Sequence, residues 1–481
     1  MRKFIYALVA LLAAFTTTSC LYGVGTDEGT DVEDTSGFKV EVSATVISAN
    51  GEDSAVFRAF YNGEDVSSEA TLYDNATNNP YPTMSFSTEM AGRYQFYVVW
   101  GEHRSEVIGI TVVQPMDLSD KDEKGLSVSL STNLIQVGKQ YAAFIIRYDG
   151  KVLEPEEMVK AKIYNAETNS GVAFETVAVS YNGKDYVLPA YYANKAGQRS
   201  YWVSYKTKNT RETPVTITAV TAEVPARPID PEPSKTEFVH RTLFTQMTGT
   251  WCGYCPNMIE AFHRMFEDEQ YKDRFVHTAV HNGDQFAVKL PDGRDLASVL
   301  NTSGAYPFTI ANLSYGLNTP NSVEANIAAI MGTIEGTQDT PARAGIAVRT
   351  SLKDNMLLVR ASVKVNEDGE YAVGAWLVES GLYAPQSNYT DIKESYIDIH
   401  ENVVRIANSN ASGSNFRGLP MGHISKGETA DQLFIMELDR KWKVENCHLV
   451  LFVSTTIKNQ QTVTNAVQTA SLTSGVEFEY K

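Results

Sequence analysis

The sequence predicts a multidomain α+β protein: two N-terminal β-sandwich modules, an α/β domain and a C-terminal β-sandwich. Three observations support this fold class. Short segments rich in Val, Phe, Tyr and Thr, broken by Asn, Gly and Asp, occupy residues 37–223. Strand-like and helix-like periods alternate over residues 237–338. Alternating apolar residues return over residues 339–481.

The chain has 481 residues and a formal net charge of −17. This length is sufficient for several domains, each with its own core. The acidic balance argues against binding to nucleic acid or directly to anionic lipid headgroups.

Residues 1–20 have the pattern of an export signal. Arg2 and Lys3 precede an apolar run that is too short to span a membrane. The segment ending at Cys20 resembles the lipobox of bacterial lipoproteins, which implies lipidation of Cys20 and an outer-membrane anchor. An ordinary secretory signal remains the alternative. The acidic residues 21–36 predict a solvated tether and resemble surface-export signals of Bacteroidetes lipoproteins, so exposure at the cell surface is also an expectation.

Residues 37–114 and 115–223 resemble each other internally. Residues 57–63 (FRAFYNG) match residues 144–150 (FIIRYDG). The repeat indicates two tandem immunoglobulin-like modules, which are expected to act as a spacer. Their aromatic residues are typical of strand core and cross-strand pairs, and a binding face for a host or glycan ligand is the alternative.

Four prolines in residues 224–236 (VPARPIDPEPSKT) predict a semi-rigid linker before the next domain.

Two cysteines stand one helical turn apart in Trp251-Cys252-Gly253-Tyr254-Cys255-Pro256. A strand-like run, 242–247, precedes them, and apolar residues at helical spacing follow. Cys252 is therefore expected near the start of a helix. The free N–H groups and the dipole of that helix favour its thiolate, the form that attacks disulfides. Cys255 is close enough in sequence to resolve a mixed disulfide.

The WCGYCP sequence after a strand and before a helix resembles the thioredoxin superfamily. The resemblance implies a thioredoxin-like domain over residues 237–338, with Cys252 as nucleophile and Cys255 as resolving cysteine. It also implies a cis-proline loop facing the pair, for which Tyr306-Pro307 fits best, and it includes Trp251 in the active-site motif. Gln246 stands where many thioredoxins have a buried acid, so slow or absent turnover is expected.

The α/β domain is predicted to contain three strands and three helices, with a last strand that is very short or missing. The predicted strands are 242–247, 275–281 and 308–313, and the predicted helices are 255–267, 296–302 and 322–334.

Three alternatives to redox chemistry concern the cysteine pair. An inert structural disulfide is the most serious. A zinc site needs two further ligands, for which His263, His277, His281 and Cys447 have no recognisable spacing. Covalent haem requires His after Cys255, where Pro256 stands. We therefore expect no cofactor and no metal, and we interpret Cys447 as a small buried hydrophobe.

Two polar motifs receive structural interpretations. Asn282-Gly283 is expected to form a turn with His281 at an exposed strand end, and a proton relay through His281 and Asp284 is the alternative. His400 and Glu401 precede a Ser-, Asn- and Gly-rich stretch and are interpreted as part of a structural loop. Asp368-Gly369 predicts a hairpin turn within the C-terminal β-sandwich, 339–481.

The region from residue 238 onwards resembles a narrower group, the Bacteroidetes lipoproteins named after a twenty-eight-kilodalton outer-membrane protein. The resemblance rests on four stretches: 248–256, 281–286, 306–307 and 400–405. It implies a location more than a chemistry. The first functional hypothesis is a thiol-disulfide oxidoreductase acting on envelope or surface proteins. The second is a non-catalytic surface lipoprotein that binds a host, glycan or envelope partner.

Overall fold

The computed structural model describes residues 37–481 except 76, 90, 114, 182, 291–292, 338–340 and 409–415. The predicted signal peptide, lipidated Cys20 and tether, 1–36, lie outside the described residues. Among the described residues, strand accounts for 46% and helix for 10%. No helix among the described residues is both long and apolar enough to cross a membrane.

The chain divides into two compact units. The first consists of the described residues up to Ile47, Ser54–Phe86 and Arg93–Thr111. The second consists of Ser48–Asp53, Ser87–Gly92 and Val112–Lys481.

The first unit is built on two β-sheets. The strands are β1 Phe38–Val42, β2 Val46–Ser48, β3 Ala55–Tyr61, β4 Glu64–Asp65, β5 Thr71–Asp74, β6 Ser85–Phe86, β7 Gly92–Trp100, β8 His103–Arg104 and β9 Ile108–Val113. One sheet has the order β1-β3-β4 with β6 beside β3, and the other has the order β2-β9-β7-β5 with β8 beside β7. The rings of Phe57 and Phe96, one from each sheet, lie 5.6 Å apart between centroids. Apolar residues at alternate positions thus meet between the sheets.

The second unit begins with another pair of sheets. Its elements are β10 Leu126–Leu130, β11 Leu134–Gln136, β12 Tyr141–Tyr148, β13 Lys151–Val152, α1 Pro155–Met158, β14 Lys162–Asn165, β15 Gly171–Val172, β16 Glu175–Tyr181, β17 Lys184–Tyr192, β18 Gly197–Tyr205, β19 Lys208–Asn209 and β20 Val215–Val220. The orders are β10-β12-β17-β16, with β13 beside β12, and β11-β20-β18-β14-β15, with β19 beside β18. Phe144 and Leu188 of one sheet share a buried cluster with Val203 and Ile217 of the other.

The cysteine pair lies in a β-α-β segment. Its elements are β21 Thr242–Thr248, α2 Pro256–Glu267, β22 Phe275–His281, α3 Leu296–Leu300, β23 Phe308–Ala311, β24 Tyr315–Gly316 and α4 Val323–Glu335. All except the two-residue β24 begin and end within two residues of the predicted elements. The expectation of a very short last strand is confirmed by β24.

Ten strands follow. They are β25 Ala344–Lys353, β26 Met356–Val365, β27 Gly369–Glu379, β28 Leu382–Tyr383, β29 Ile399–His400, β30 Val403–Ala407, β31 Leu419–Ile424, β32 Thr429–Glu437, β33 Cys447–Ile457 and β34 Gln460–Gln468. Strands β25-β26-β32 form a three-stranded sheet, and β28 pairs with β29. A nine-stranded sheet has the order β24-β23-β21-β22-β30-β27-β33-β34, with β31 beside β27. The two larger sheets enclose a buried cluster that includes Val359 and Val373.

The predicted fold class is wrong. The described strands do not form a separate thioredoxin-like α/β domain and a separate C-terminal β-sandwich. The nine-stranded sheet contains strands from both segments, and β22 joins β30 in parallel through Ala279 and Val403. Leu243 lies in one buried cluster with Trp376 and Phe452. The apolar face of the β-α-β segment is thus covered by the C-terminal strands, in a predominantly β protein.

The predicted hairpin at Asp368-Gly369 is also wrong. The flanking strands β26 and β27 enter different sheets: β26 pairs with β25 and β32, whereas β27 pairs with β30, β31 and β33. The chain therefore crosses between sheet layers here.

The proline-rich segment 224–236 is anchored to the C-terminal region. The buried ammonium of Lys364 donates to Asp230 Oδ2 at 2.8 Å and to the Pro233 carbonyl at 2.7 Å. Tyr480 Oη donates to Asp230 Oδ1 at 2.7 Å. These contacts satisfy a lysine that is only 1% exposed.

Candidate functional site

Cys252 and Cys255 form a disulfide at the start of α2. Cys255 is the N-cap residue, and Pro256, whose missing N–H costs nothing at this position, is the first helical residue. Met258 and Ile259 donate their N–H groups to the Cys255 carbonyl at 3.0 and 3.1 Å. The helix starts where the apolar spacing predicts, and this start places the disulfide at the positive end of the dipole.

Trp251 connects the pair to the Tyr306-Pro307 loop. The indole Nε1 donates to the Asn282 carbonyl at 2.7 Å, and the ring meets Tyr306 edge to face at 5.1 Å. The Tyr306-Pro307 peptide bond is cis. A Cβ on Gly249 would lie 2.6 Å from Trp251 Nε1, so this position requires glycine. The structure therefore brings the residues singled out from the sequence together, and their catalytic roles stay predictions.

A segment far along the chain covers the pair. We call residues 384–392 the cover segment. The amides of Ser387 and Tyr389 each donate at 2.7 Å, to the carbonyls of Thr250 and Gly253 respectively. Gln386 Nε2 donates to the carbonyls of Gly249 at 3.1 Å and Cys252 at 2.8 Å.

The ring of Tyr389 completes this cover. It packs so closely on Gly253 that a Cβ there would lie 2.2 Å from it, and it meets Tyr254 edge to face at 5.6 Å. Cys252 is 3% exposed and Cys255 0% exposed, although Trp251 is 46% exposed. The cover segment was not predicted from the sequence, because its polar composition gives no signal beyond that of a turn.

Behind the pair, Gln246 contacts a buried histidine. His277 Nε2 lies 3.3 Å from Gln246 Oε1, and its Nδ1 lies 3.3 Å from Asn402 Nδ2. Because an amide nitrogen only donates, Asn402 donates to Nδ1, and Nε2–H then donates to Gln246. Burial lowers the pKa of His277 to about 3, so this ring is neutral at physiological pH.

His281 and Asp284 form a buried pair, so the expectation of an exposed strand end is wrong for His281, which is 0% exposed. The distance from His281 Nδ1 to Asp284 Oδ2 is 2.7 Å. Burial raises the pKa of Asp284, but the hydrogen bond and electrostatic interaction with the His281 ring, together with the amides of Thr250 and Phe286, bring it below its ordinary value. The expected turn is present, with Gly283 at φ 65°.

His400 lies beside this pair. Its ring centroid is 5.0 Å from that of His281, and its Nε2 lies 3.1 Å from the Ala384 carbonyl, at the start of the cover segment. Burial and the neighbouring His281 lower the pKa of His400. His400 thus positions the cover segment.

The histidines and Cys447 are the candidate metal ligands named from the sequence. Within the described parts of the chain, no group of three or more His, Cys, Asp or Glu side chains has an arrangement that would hold a metal ion. Cys447 is a buried free thiol, as interpreted, and its Sγ donates to the Lys443 carbonyl at 3.3 Å. Burial raises the pKa of this thiol to about 12.

Comparison with protein families gives a match in the C-terminal part of the chain. Residues 301–474 match the family described as Outer membrane protein Omp28. The matched region includes Tyr306-Pro307 and the cover segment and begins after the cysteine pair. The match confirms the predicted outer-membrane location. No curated protein is detectably similar to the chain in sequence.

Several solved structures resemble parts of the chain. HBP35 of Porphyromonas gingivalis is 20% identical over 49% of this chain and 77% of that chain, with a TM-score of 0.41. A domain of the outer membrane lipoprotein Omp28 from Porphyromonas gingivalis is 16% identical over 29% of this chain and 89% of that chain, with a TM-score of 0.18. The adhesin InvE of Yersinia pseudotuberculosis is 15% identical over 38% of this chain and 58% of that chain, with a TM-score of 0.13.

Proposed function

We propose that this outer-membrane protein, whose residues 301–474 match the Omp28 family, performs thiol–disulfide exchange at Cys252 and Cys255 on proteins of the cell envelope. The observation that most directly supports the proposal is the position of the disulfide at the start of α2, beside Trp251 and Tyr306. The free N–H groups and dipole of a helix start stabilise a thiolate at this place.

The exchange consists of two displacements. In the reduced protein the Cys252 thiolate attacks a substrate disulfide, a mixed disulfide forms, and one substrate sulfur leaves as a thiolate that takes up a proton. The Cys255 thiolate then attacks Cys252 Sγ, the Cys252–Cys255 bond forms again, and the second substrate sulfur leaves. Two electrons pass from the pair to the substrate, and the reverse sequence oxidises a substrate dithiol.

In this proposal the cover segment moves before a substrate sulfur reaches Cys252, because both cysteines are buried and the cover segment is bound to the loop that holds them. The cover segment is held by four hydrogen bonds to the loop and by the Tyr389 ring. Substrate access in this proposal is therefore gated.

The experiment that tests the proposal measures the reduction potential of the pair. The protein is equilibrated in graded glutathione buffers, and alkylated thiols are counted by mass. A value between about −270 and −120 mV lies in the range of catalytic pairs and supports exchange. In cells, Cys255→Ser should accumulate mixed disulfides through Cys252, and Cys252→Ser is the matched control that should not.

A second candidate function is a non-catalytic surface protein in which the disulfide is a structural cross-link. The observation in its favour is the burial of both sulfurs, together with Gln246 where a proton-accepting acid is common. Its partner would be a host, glycan or envelope ligand of the N-terminal β-sheets. A potential below about −300 mV, with no trapped partner from Cys255→Ser, would contradict exchange and favour this alternative.

Both candidate functions include a membrane anchor. We propose that lipidated Cys20 attaches the protein to the outer membrane, with the folded part exposed at the cell surface. Labelling with palmitate in wild-type and Cys20→Ala cells tests the anchor, and loss of label is the expected result.

A further inference from the structure

A cavity of about 210 Å³ lies between the strands and helix that hold the cysteine pair. One wall comes from β21 and β22, the opposite wall comes from α2, and residues 396–401 close a third side. The exposed Glu401 and the half-exposed His263 mark its mouth. The residues that line it are Gln246, Thr248, Ile259, Phe262, His263, Phe266, His277, Ala279, His281, Tyr396, Ile399, His400 and Glu401.

The strand wall contains three polar atoms that have no hydrogen-bond partner among the described residues: Gln246 Nε2, Thr248 Oγ1 and His281 Nε2. Their side chains belong to residues that are 2%, 2% and 0% exposed, respectively. Thr248 and Gln246 are two residues apart on one face of β21, and Thr248 is the register partner of His281. Three clustered, buried and unpaired polar atoms indicate that a partner is supplied from outside the chain.

The hydrogen bonds around these atoms determine what that partner must offer. Gln246 accepts a hydrogen bond from His277 at Oε1, so its Nε2 is a free donor. His281 donates from Nδ1 to the Asp284 carboxylate, and in the tautomer whose single proton is on Nδ1 the Nε2 atom is a free acceptor. A hydroxyl group satisfies both at once, because it accepts from the amide and donates to the ring.

The helix wall is apolar. Ile259, Phe262 and Phe266 face the cavity, and an ordered water at this wall would lack hydrogen-bond partners. An apolar cavity of about 150 Å³ in another protein accommodates benzene, so the present cavity has room for a ring with one substituent.

The same contacts argue against a metal ion. His277 uses both ring nitrogens, on Gln246 and Asn402. His400 uses Nε2 on the Ala384 carbonyl. His281 Nε2 is then the histidine nitrogen of these three rings that both lines the cavity and lacks a partner.

We infer that this cavity is a binding site for a small, uncharged aromatic molecule with a hydroxyl group, that is, a phenol. The hydroxyl donates to His281 Nε2 and accepts from Gln246 Nε2, and the ring packs against Phe262 and Phe266. This inference is independent of thiol–disulfide exchange.

The test uses two probes of nearly equal size, 4-fluorophenol and fluorobenzene, which are titrated into the full chain and followed by fluorine NMR. Saturable binding of 4-fluorophenol at one site, at least about tenfold tighter than fluorobenzene, is the expected result. Equal affinities for the two probes, or no saturable binding of 4-fluorophenol, would overturn the inference, and the cavity would then hold water only.

Two variants locate the site. Gln246→Leu and His281→Phe should each weaken 4-fluorophenol binding about tenfold, because each removes one hydrogen bond. His448→Phe, at a partly buried histidine outside the lining, is the matched control and should bind as the wild type does. Unchanged binding in both cavity variants would contradict the assignment. If either variant does not fold, the comparison of the two probes on the wild-type chain decides alone.

Discussion

His277 is a buried histidine of β22 whose ring lies between Gln246 of β21 and Asn402, the residue before β30. Both nitrogens have partners, Gln246 and Asn402, and neither partner is charged. Protonation would place a buried positive charge without an anion beside it, which is why the pKa of His277 falls from 6.5 to about 3.

This histidine should make the protein less stable in acid. Between about pH 6.5 and pH 3 the unfolded chain binds a proton at residue 277 that the folded chain does not, so the free energy of unfolding falls as the pH falls. The slope from one such group is at most about 1.4 kcal/mol per pH unit. We expect His277→Gln, which retains hydrogen-bonding groups, to lose less stability than the wild type from pH 7 to 5. Urea unfolding at several pH values measures both slopes.

Above pH 7.5 the two unfolding curves should differ by a constant amount, because residue 277 is then neutral in both states. Parallel curves from pH 7 down to 5 would show that His277 contributes nothing to acid sensitivity. His400 and His448, whose pKa values are also lowered by burial, account for the slope that remains in the variant.

At the scale of elements, the cover segment determines how accessible the disulfide is. Gln386 reaches two carbonyls of the cysteine loop with its side chain, whereas Ser387 contacts the loop through its backbone amide. The two neighbouring residues therefore permit a matched comparison.

Gln386→Ala should speed reduction of the disulfide by dithiothreitol about tenfold. The substitution removes two hydrogen bonds, each worth about 0.5–1.5 kcal/mol net, from the closed state of the cover segment. The rate is followed by alkylating the released thiols and counting them by mass.

Ser387→Ala keeps the backbone hydrogen bond to Thr250 and should react at the wild-type rate. Tyr389→Ala, which removes the ring from Gly253, should react faster than the wild type. If Gln386→Ala and Ser387→Ala react equally fast, the side chain of Gln386 does not hold the cover segment closed.

At the scale of the whole molecule, the feature with the largest consequence is the buried cluster that the β-α-β segment shares with the C-terminal strands. Trp376 is fully buried, donates from Nε1 to the Phe416 carbonyl at 3.2 Å and meets Phe452 edge to face. The cluster around it includes Leu243 and Val276, which precede it by about a hundred residues or more. Neither segment can bury these side chains alone.

A fragment of residues 224–338 should therefore lack a cooperative unfolding transition, whereas residues 224–481 should have one. The shorter fragment leaves the apolar face of β21 and β22 in water, since the strands that cover it are missing. Thermal unfolding followed by circular dichroism compares the two fragments. A sharp transition in the short fragment would mean that the β-α-β segment is a domain after all.

Local patterns in the sequence were sufficient to predict the elements around the cysteine pair. β22 was predicted residue for residue, because an apolar run between polar turns is a local property. The neighbour of β22 was not predictable in this way, since Ala279 pairs with Val403, more than a hundred residues later. The same limit explains the hairpin expected at Asp368-Gly369, whose turn residues do not specify which strands pair.

The same distinction between local motifs and contacts distant in sequence applies to the candidate site. Cys252, Cys255 and the Tyr306-Pro307 loop belong to short motifs that are visible in the sequence, and they lie together. Gln386 and Tyr389 belong to no motif, because their contacts with the loop depend on the folding of the C-terminal region. The burial of the sulfurs, which decides their accessibility, therefore became visible only in three dimensions.

Gln386 follows Cys252 by 134 residues, so the redox state in which the pair is enclosed depends on the order in which the chain emerges. A chain that is exported N-terminus first presents its two thiols to the oxidants outside the cytoplasm before the cover segment has been exported. When residues 384–392 dock, they enclose whichever oxidation state the pair has acquired. The timing of biogenesis thus sets the starting state of every mature molecule.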